Sequence, residues 1–170
     1  MGIYLIAKKL ILEGSLAVMD LHVRITEGSN DDFIRLVRLL DEECLEMIGN
    51  DKSQHKQFKH ADDDSTTVVV VYDGMTPIAC GSFKTYSDDT VEMKRVFVRK
   101  VYRNKGLATK VMHNLEKLAL AQGRAYAILE TGGKIQATVD LYKHLQYDTI
   151  HNYGPYETDM NCICMKKKLG

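Results

Sequence analysis

This sequence is most informative first in what it lacks. No apolar run approaches the roughly 20 residues a helix needs to cross a bilayer, so a helical membrane protein is excluded. No C-x-x-C pair occurs, so no metal site is expected. Repeats and low-complexity stretches are also missing, which leaves an ordinary globular chain. There is no surplus of charge: 23 Lys and Arg balance 23 Asp and Glu. A general nucleic-acid binder would be basic overall. The four cysteines are Cys44, Cys80, Cys162 and Cys164. Three lie in strand-like runs and Cys44 on an apolar helix face, so they read as small buried hydrophobes, reduced in a cytoplasmic protein.

A chain of 170 residues fits one domain with a substantial core. Residues Met1 to Val18 are mildly apolar but broken by Lys8, Lys9 and Glu13, without the continuous core of a signal peptide. They read as a leader or an appended, non-native helix. Met19 then starts a single domain over 19–170.

Alternating Leu21, Val23 and Ile25 predict a strand. Asn30 and Asp31 can cap a helix that runs to about Ile48, with Phe33, Leu36, Val37, Leu40, Cys44 and Met47 on its apolar face. Ser53 to His60 reads as a weaker helix, and Asp62-Asp63-Asp64 as a solvated turn. Thr66 to Tyr72 and Met75 to Tyr86 form a hairpin around Asp73-Gly74. Thr90 to Val98 follows as a strand. Gly106 to Gln122 is helical and Tyr126 to Thr131 a strand, long enough together for a right-handed parallel crossover. A short helix over Gln136 to His144 and strands over Tyr147 to Ile150 and Cys162 to Lys167 complete the chain.

Two irregularities stand out. Val91 and Met93 are apolar on odd positions, then Val96 and Val98 on even ones. Such a slip of phase implies one extra residue near Lys94-Arg95, a β-bulge that would splay the strand from its neighbour. The alternative is a strand with a basic residue facing inward at an edge. The second is Arg103-Asn104-Lys105-Gly106-Leu107-Ala108, where a strand turns into a helix through small residues. Backbone N–H groups and the positive helix end at such a turn suit an anion, usually phosphate. Lys94, Arg95, Arg99, Lys100, Arg103, Lys105 and Lys110 surround it, with Glu92 the only acid between Val91 and Val111.

From about Met19 to Leu169 the chain resembles the GNAT superfamily of N-acetyltransferases. The signature R/Q-x-x-G-x-G/A after the fourth strand is matched by Arg103, Gly106 and Ala108. Met93-Lys94-Arg95-Val96-Phe97-Val98, the block Ala137 to Tyr147, and Asn152-Tyr153-Gly154-Pro155-Tyr156 carry the likeness further. Lys100 stands where the family often has proline, and Gln146-Tyr147 where it often has Gly-Phe. The resemblance implies a mixed α+β fold: a mostly antiparallel sheet of six to seven strands, bulged, with strands 4 and 5 splayed and about four flanking helices.

It also implies acetyl transfer from acetyl-CoA to a primary amine of a small molecule, amino acid or peptide, by direct attack without a serine or cysteine nucleophile. The coenzyme A diphosphate would sit on the N–H groups of Asn104, Lys105, Gly106, Leu107, Ala108 and Thr109, with Arg103 and Lys105 adding charge. The pantetheine arm would pair with the backbone of Val96, Phe97 and Val98. Gln136 stands near the position of a family asparagine that contacts this arm.

A lysine-like amine has a pKa of about 10.4, so only about one molecule in a few thousand is neutral at pH 7. A base must take its proton. Glu92 just before the bulge is the first candidate and Glu130 on the neighbouring strand its rival. Tyr142 matches the family tyrosine that protonates the departing thiolate. Tyr153 and Tyr156 would wall the acceptor site. Glu43, Glu46 and Asp51 either lend it negative potential or form a solvated helix face. Partners are thus coenzyme A and a small amine, with neither nucleic acid nor membrane, and a homodimer is an assembly common in the family. A non-catalytic acyl-CoA sensing module is the alternative function.

Overall fold

The alternating and β-branched runs of this chain build one twisted sheet with helices on both faces. The computed structural model describes residues 19–48, 66–132 and 135–170. The strands are β1 (Leu21–Glu27), β2 (Thr67–Asp73), β3 (Thr76–Thr85), β4 (Thr90–Val98), β5 (Tyr126–Gly132), β6 (Asp148–Ile150) and β7 (Cys162–Lys168). Their order is β1-β2-β3-β4-β5-β7-β6, and only β4 and β5 run parallel. Three α-helices lie among the described residues: α1 (Asp31–Ile48), α2 (Leu107–Ala121) and α3 (Gln136–His144). The expectations for residues 1–18, a helix over 53–60, the turn at 62–64 and Asp51 fall outside the described residues.

β2 is apolar from Val68 to Tyr72 because both of its faces are covered. Val69 and Val71 join Val111, Met112 and Leu115 of α2 in the larger core. Val68, Val70 and Tyr72 join Phe33 and Leu36 of α1 on the opposite face. The Asn30 side-chain oxygen accepts from the Asp32 and Phe33 amides at 3.1 Å and starts α1 as its sequence predicts. Met47 departs from expectation: it is 60 % exposed, where the last turns of α1 carry acids that pair with the basic segment. Gly123 at φ 78° ends α2, with Gly123 N bonded to Leu120 O and Arg124 N to Ala119 O. That pair of bonds is a Schellman cap.

The slip of phase in β4 is a bulge. Ser82 pairs with Lys94 and Cys80 with Phe97, so Arg95 and Val96 together oppose Gly81. Arg95 takes a left-handed φ of 56° to do so. Val91 and Met93 face the larger core before the bulge, Val96 and Val98 after it, and Phe97 joins the α1 face. The inward-facing basic residue at an edge is ruled out, since β4 is flanked by β3 and β5. Gly81 has its own reason for being glycine. A Cβ there would lie 2.6 Å from Val111 Cγ1 and 3.0 Å from Leu115 Cδ1, so α2 crosses tightly over the bulge.

The bulge divides the sheet. β4 pairs with β5 only from Thr90–Tyr126 to Met93–Leu129. Beyond that point β4 continues on β3, and β5 continues through Gly132 on β7. A split opens between Lys94–Val98 on one side and Glu130–Gly132 on the other.

Candidate active site

Three sequence features converge on this split. The first is backbone. Arg99 N donates to Ile78 O at 3.0 Å across β3. Alternation along a strand therefore turns the backbone groups of Val98 and Val96 the other way, toward the split. The chain then makes a single 3₁₀ turn at Lys100–Tyr102 and passes through Asn104 at φ 61° and Gly106 at φ 72°. Nothing lies within 4 Å of a Cβ on Gly106, so φ rather than space favours glycine there. Gly106 is the N-cap of α2, and no described side chain caps the helix. The first-turn N–H groups of Leu107, Ala108 and Thr109 are thus uncapped by any described side chain at the positive end of a 15-residue helix. Residues 103–106 are exposed.

The surrounding basic residues are arranged otherwise than the sequence suggests. Arg95 binds Asp41 at 2.8 Å, Arg103 binds Glu43 at 2.6 Å, and Lys100 lies 3.8 Å from Glu46. Glu43 is therefore a partner of the basic segment, while Glu46, with its side chain 73 % exposed, keeps the solvated position on the helix face that its sequence suggests. Arg103 is doubly tied, because its Nε also donates to Val98 O at 2.9 Å. Its guanidinium is thus held between α1 and β4, beside the start of α2. Lys105, beside the Tyr102 ring, and exposed Lys110 remain at the helix start.

The second feature is a side-chain cluster on the α1 face. Glu92 is only 5 % exposed and pairs directly with Lys84 across β3–β4. Tyr153 donates to Glu92 Oε1 at 3.2 Å. Lys84 Nζ lies 3.6 Å from Oε2, and Lys94 Nζ 3.7 Å from Oε1. Lys94 Nζ also donates to Tyr156 Oη at 3.4 Å. The rings of Tyr86, Tyr153 and Tyr156 pack edge-on, at 5.3 and 5.7 Å. Burial, and then the charge of Glu92, push the phenols of Tyr153 and Tyr156 upward, so both stay protonated. Asn152 pins their loop: its amide donates to Asp159 O at 2.9 Å, and its oxygen accepts from Cys164 N at 3.3 Å.

The third feature is Glu130, the first β5 residue past the last β4 partner. Burial pushes its carboxyl above the ordinary range, and Asp159 and Glu92 push the same way. The Cys162 thiol, hydrogen-bonded to it, and Lys94 act against this. Cys162 is therefore more than the small apolar filler its sequence suggests. Tyr142 of α3 is buried in the larger core, edge-on to Tyr147 at 5.9 Å. Burial raises its phenol and the charge of Glu130 adds to this, so the two side chains sense each other. Gln136 stands apart: it is exposed, and its amide donates to Asp140 Oδ1 at 2.7 Å within α3. A cavity of about 150 Å³ beside the first turns of α2 is lined by Thr109, His113, His144, Leu145, Gln146 and Lys167.

Residues 34–147 match the model of the acetyltransferase (GNAT) family. The chain belongs to the GNAT family. None of the curated proteins matches its sequence. Among solved structures it is similar to a provisionally named acyl-CoA N-acyltransferase from Klebsiella pneumoniae, with a TM-score of 0.72 and 22 % identity over 89 % of this chain and 99 % of the other. The PaiA N-acetyltransferase of Thermoplasma acidophilum, solved with coenzyme A, gives a TM-score of 0.69 at 14 % identity over 88 % and 99 %. A GNAT family acetyltransferase from Elizabethkingia anophelis with acetyl-CoA bound gives 0.65 at 14 % over 88 % and 98 %. At such identities the likeness is one of fold. No described helix of this GNAT chain is long and apolar enough to cross a membrane.

Sequence reasoning missed Lys84, Gly81, Asn152 and the role of Cys162. Lys84 was within reach. A tight turn at Ser87-Asp88-Asp89 sets the hairpin register that puts Lys84 opposite Glu92. Asn152 stands in a family-like block, but its pinning role, like those of Gly81 and Cys162, depends on contacts that no local pattern marks.

Proposed function

We propose that this chain transfers the acetyl group of acetyl-CoA to a primary amine, the amine attacking directly while both substrates are bound. The observation that carries the reading is the uncapped start of α2 beside strands that part after Met93 and Leu129. The residues present fit coenzyme A. N–H groups of Asn104 to Thr109 would hold the diphosphate, with Lys105 and Lys110 adding charge, and the Val96 and Val98 backbone would face the amide-rich arm. Each dipole or surface-charge contact is worth only about 0.3–1 kcal/mol, so the site depends on several converging. Val98 O already accepts from Arg103 Nε, which leaves its second lone pair for the arm.

Acetyl-CoA supplies the activated thioester; the protein supplies position and proton handling. Glu130 is the better base. Its raised carboxyl titrates nearer neutrality, where a general base works best. Glu92 is held by two lysines and a tyrosine and serves instead to organise the acceptor wall. The protonated Tyr142 hydroxyl donates toward the departing sulfur. Residues 19–170 act as one acetyltransferase domain, and four free thiols suit a reducing compartment such as the cytoplasm. Thiol release from acetyl-CoA across a panel of amines tests the proposal. Amine-dependent release supports an enzyme; tight coenzyme A binding with no release on any amine supports a sensing module.

A further inference from the structure

The acceptor wall has two ends of opposite character. At the β3–β4 end one carboxylate, Glu92, meets two ammonium groups, which leaves a positive charge in surplus. Neither contact is tight: 3.6 and 3.7 Å exceed the roughly 2.7–2.9 Å of a charge-assisted hydrogen bond. Each ammonium carries three donors, so both lysines keep capacity for a second anion. The Lys84 side chain is 47 % exposed and can reach one. At the β5–β7 end stand two acids, with Lys94 of the first cluster near enough to act on one of them, Glu130. Glu130 lies at the split, and Asp159, whose carboxylate accepts from Asn161 N at 2.8 Å, is close enough to raise it. Between the ends stand the protonated phenols of Tyr153 and Tyr156, with half-exposed Tyr86 against them. From α1, the neighbouring charge is Asp41, which pairs with Arg95 of β4 at 2.8 Å.

On the acetyl-transfer reading, we infer that the acceptor carries an anionic group beside its amine: an amino acid or a short peptide with a free carboxylate, not a polyamine or an aminoglycoside. The amine lies at the Glu130 end, where the base and the split are. The carboxylate lies against Lys84 and Lys94. A second ammonium in its place would face two like charges, and such juxtaposition disfavours a wrong partner. Tyr86 offers an apolar wall to the remainder of the molecule.

Matched acceptors test this with the full-length protein: a free amino acid, the same amino acid amidated, the decarboxylated amine, a dipeptide with its amidated form, and spermidine. The carboxylate form of the amino acid or of the dipeptide is expected to exceed its amide in kcat/KM by roughly tenfold, the worth of one charge-assisted contact. Whichever of the two shows the gap identifies the source of the carboxylate. Lys84→Met is expected to shrink that ratio at least about threefold, while Lys84→Arg keeps it. Melting temperatures confirm that both variants fold. Equal or better turnover of the amides, the decarboxylated amine or spermidine overturns the assignment and leaves acetyl transfer standing. A ratio that Lys84→Met does not change overturns it too. Coenzyme A binding without turnover of any acceptor overturns both.

Discussion

On one side of the split in the sheet, the groups set to meet a ligand are backbone amides from a single unbroken run, Asn104 to Thr109. On the other they are side chains from separate segments: Lys84 on β3, Glu92 and Lys94 on β4, Glu130 on β5, Tyr153 and Tyr156 in the loop before β7. The first site is made by conformation, through left-handed Asn104 and Gly106 and a helix start that no described side chain caps. Most side chains along it could change without removing a donor. The second is made by register, and one residue of slip would send Glu92 to the other face of β4. A GNAT chain can therefore keep the binding of a common cosubstrate while its acceptor wall diverges. The same contrast explains why Arg103 can be tied to Glu43 without dismantling the amide site.

If the acceptor wall carries the proton chemistry, its base should produce the largest effect. Glu130→Gln is expected to lower kcat by about 10²-fold or more. Because burial raises the Glu130 carboxyl, its base form appears only as pH rises through that displaced pKa. Wild-type activity should thus fall on acidification at a pH above the ordinary carboxylate range, and Glu130→Gln should abolish that limb. Glu92→Gln should weaken acceptor binding and retain the limb, so a pH profile of both variants separates the two carboxylates. Tyr142→Phe comes next, with kcat down about tenfold to a hundredfold and coenzyme A affinity unchanged by calorimetry.

Gly81→Val attacks the scaffold that both sites share. Its side chain would strike Val111 and Leu115, at about 1–3 kcal/mol in denaturant unfolding. The smallest effect belongs to Lys105→Ala. It should raise the KM for acetyl-CoA only about two- to fivefold, because the proposed site assigns the diphosphate to the amides and not to this charge. A much larger rise would make that side of the split a side-chain site as well.

The sequence exposes the amide side well because every element of it is local. The odd-to-even change at Lys94-Arg95, the Arg103–Ala108 run and the apolar face of α2 lie within about one strand and one helix, and each has a direct conformational reading. The bulge follows from the same local phase. The acceptor wall is legible only in outline. Glu92, Glu130, Tyr153 and Tyr156 can be named as candidates, but which carboxylate is neutralised by lysines depends on the β3–β4 register and on the loop that Asn152 fastens to β7. The partners of the basic segment are hidden for a related reason. Its seven cations are counted along the chain, whereas α1 approaches in space and engages Arg95, Lys100 and Arg103.

Backbone amide resonances followed by NMR during a coenzyme A titration test the central claim most directly. The account predicts the largest shifts at Lys105 to Thr109, accompanied by Val96 and Val98. Shifts confined to the cavity around His113, His144 and Lys167, with the start of α2 unmoved, would contradict it.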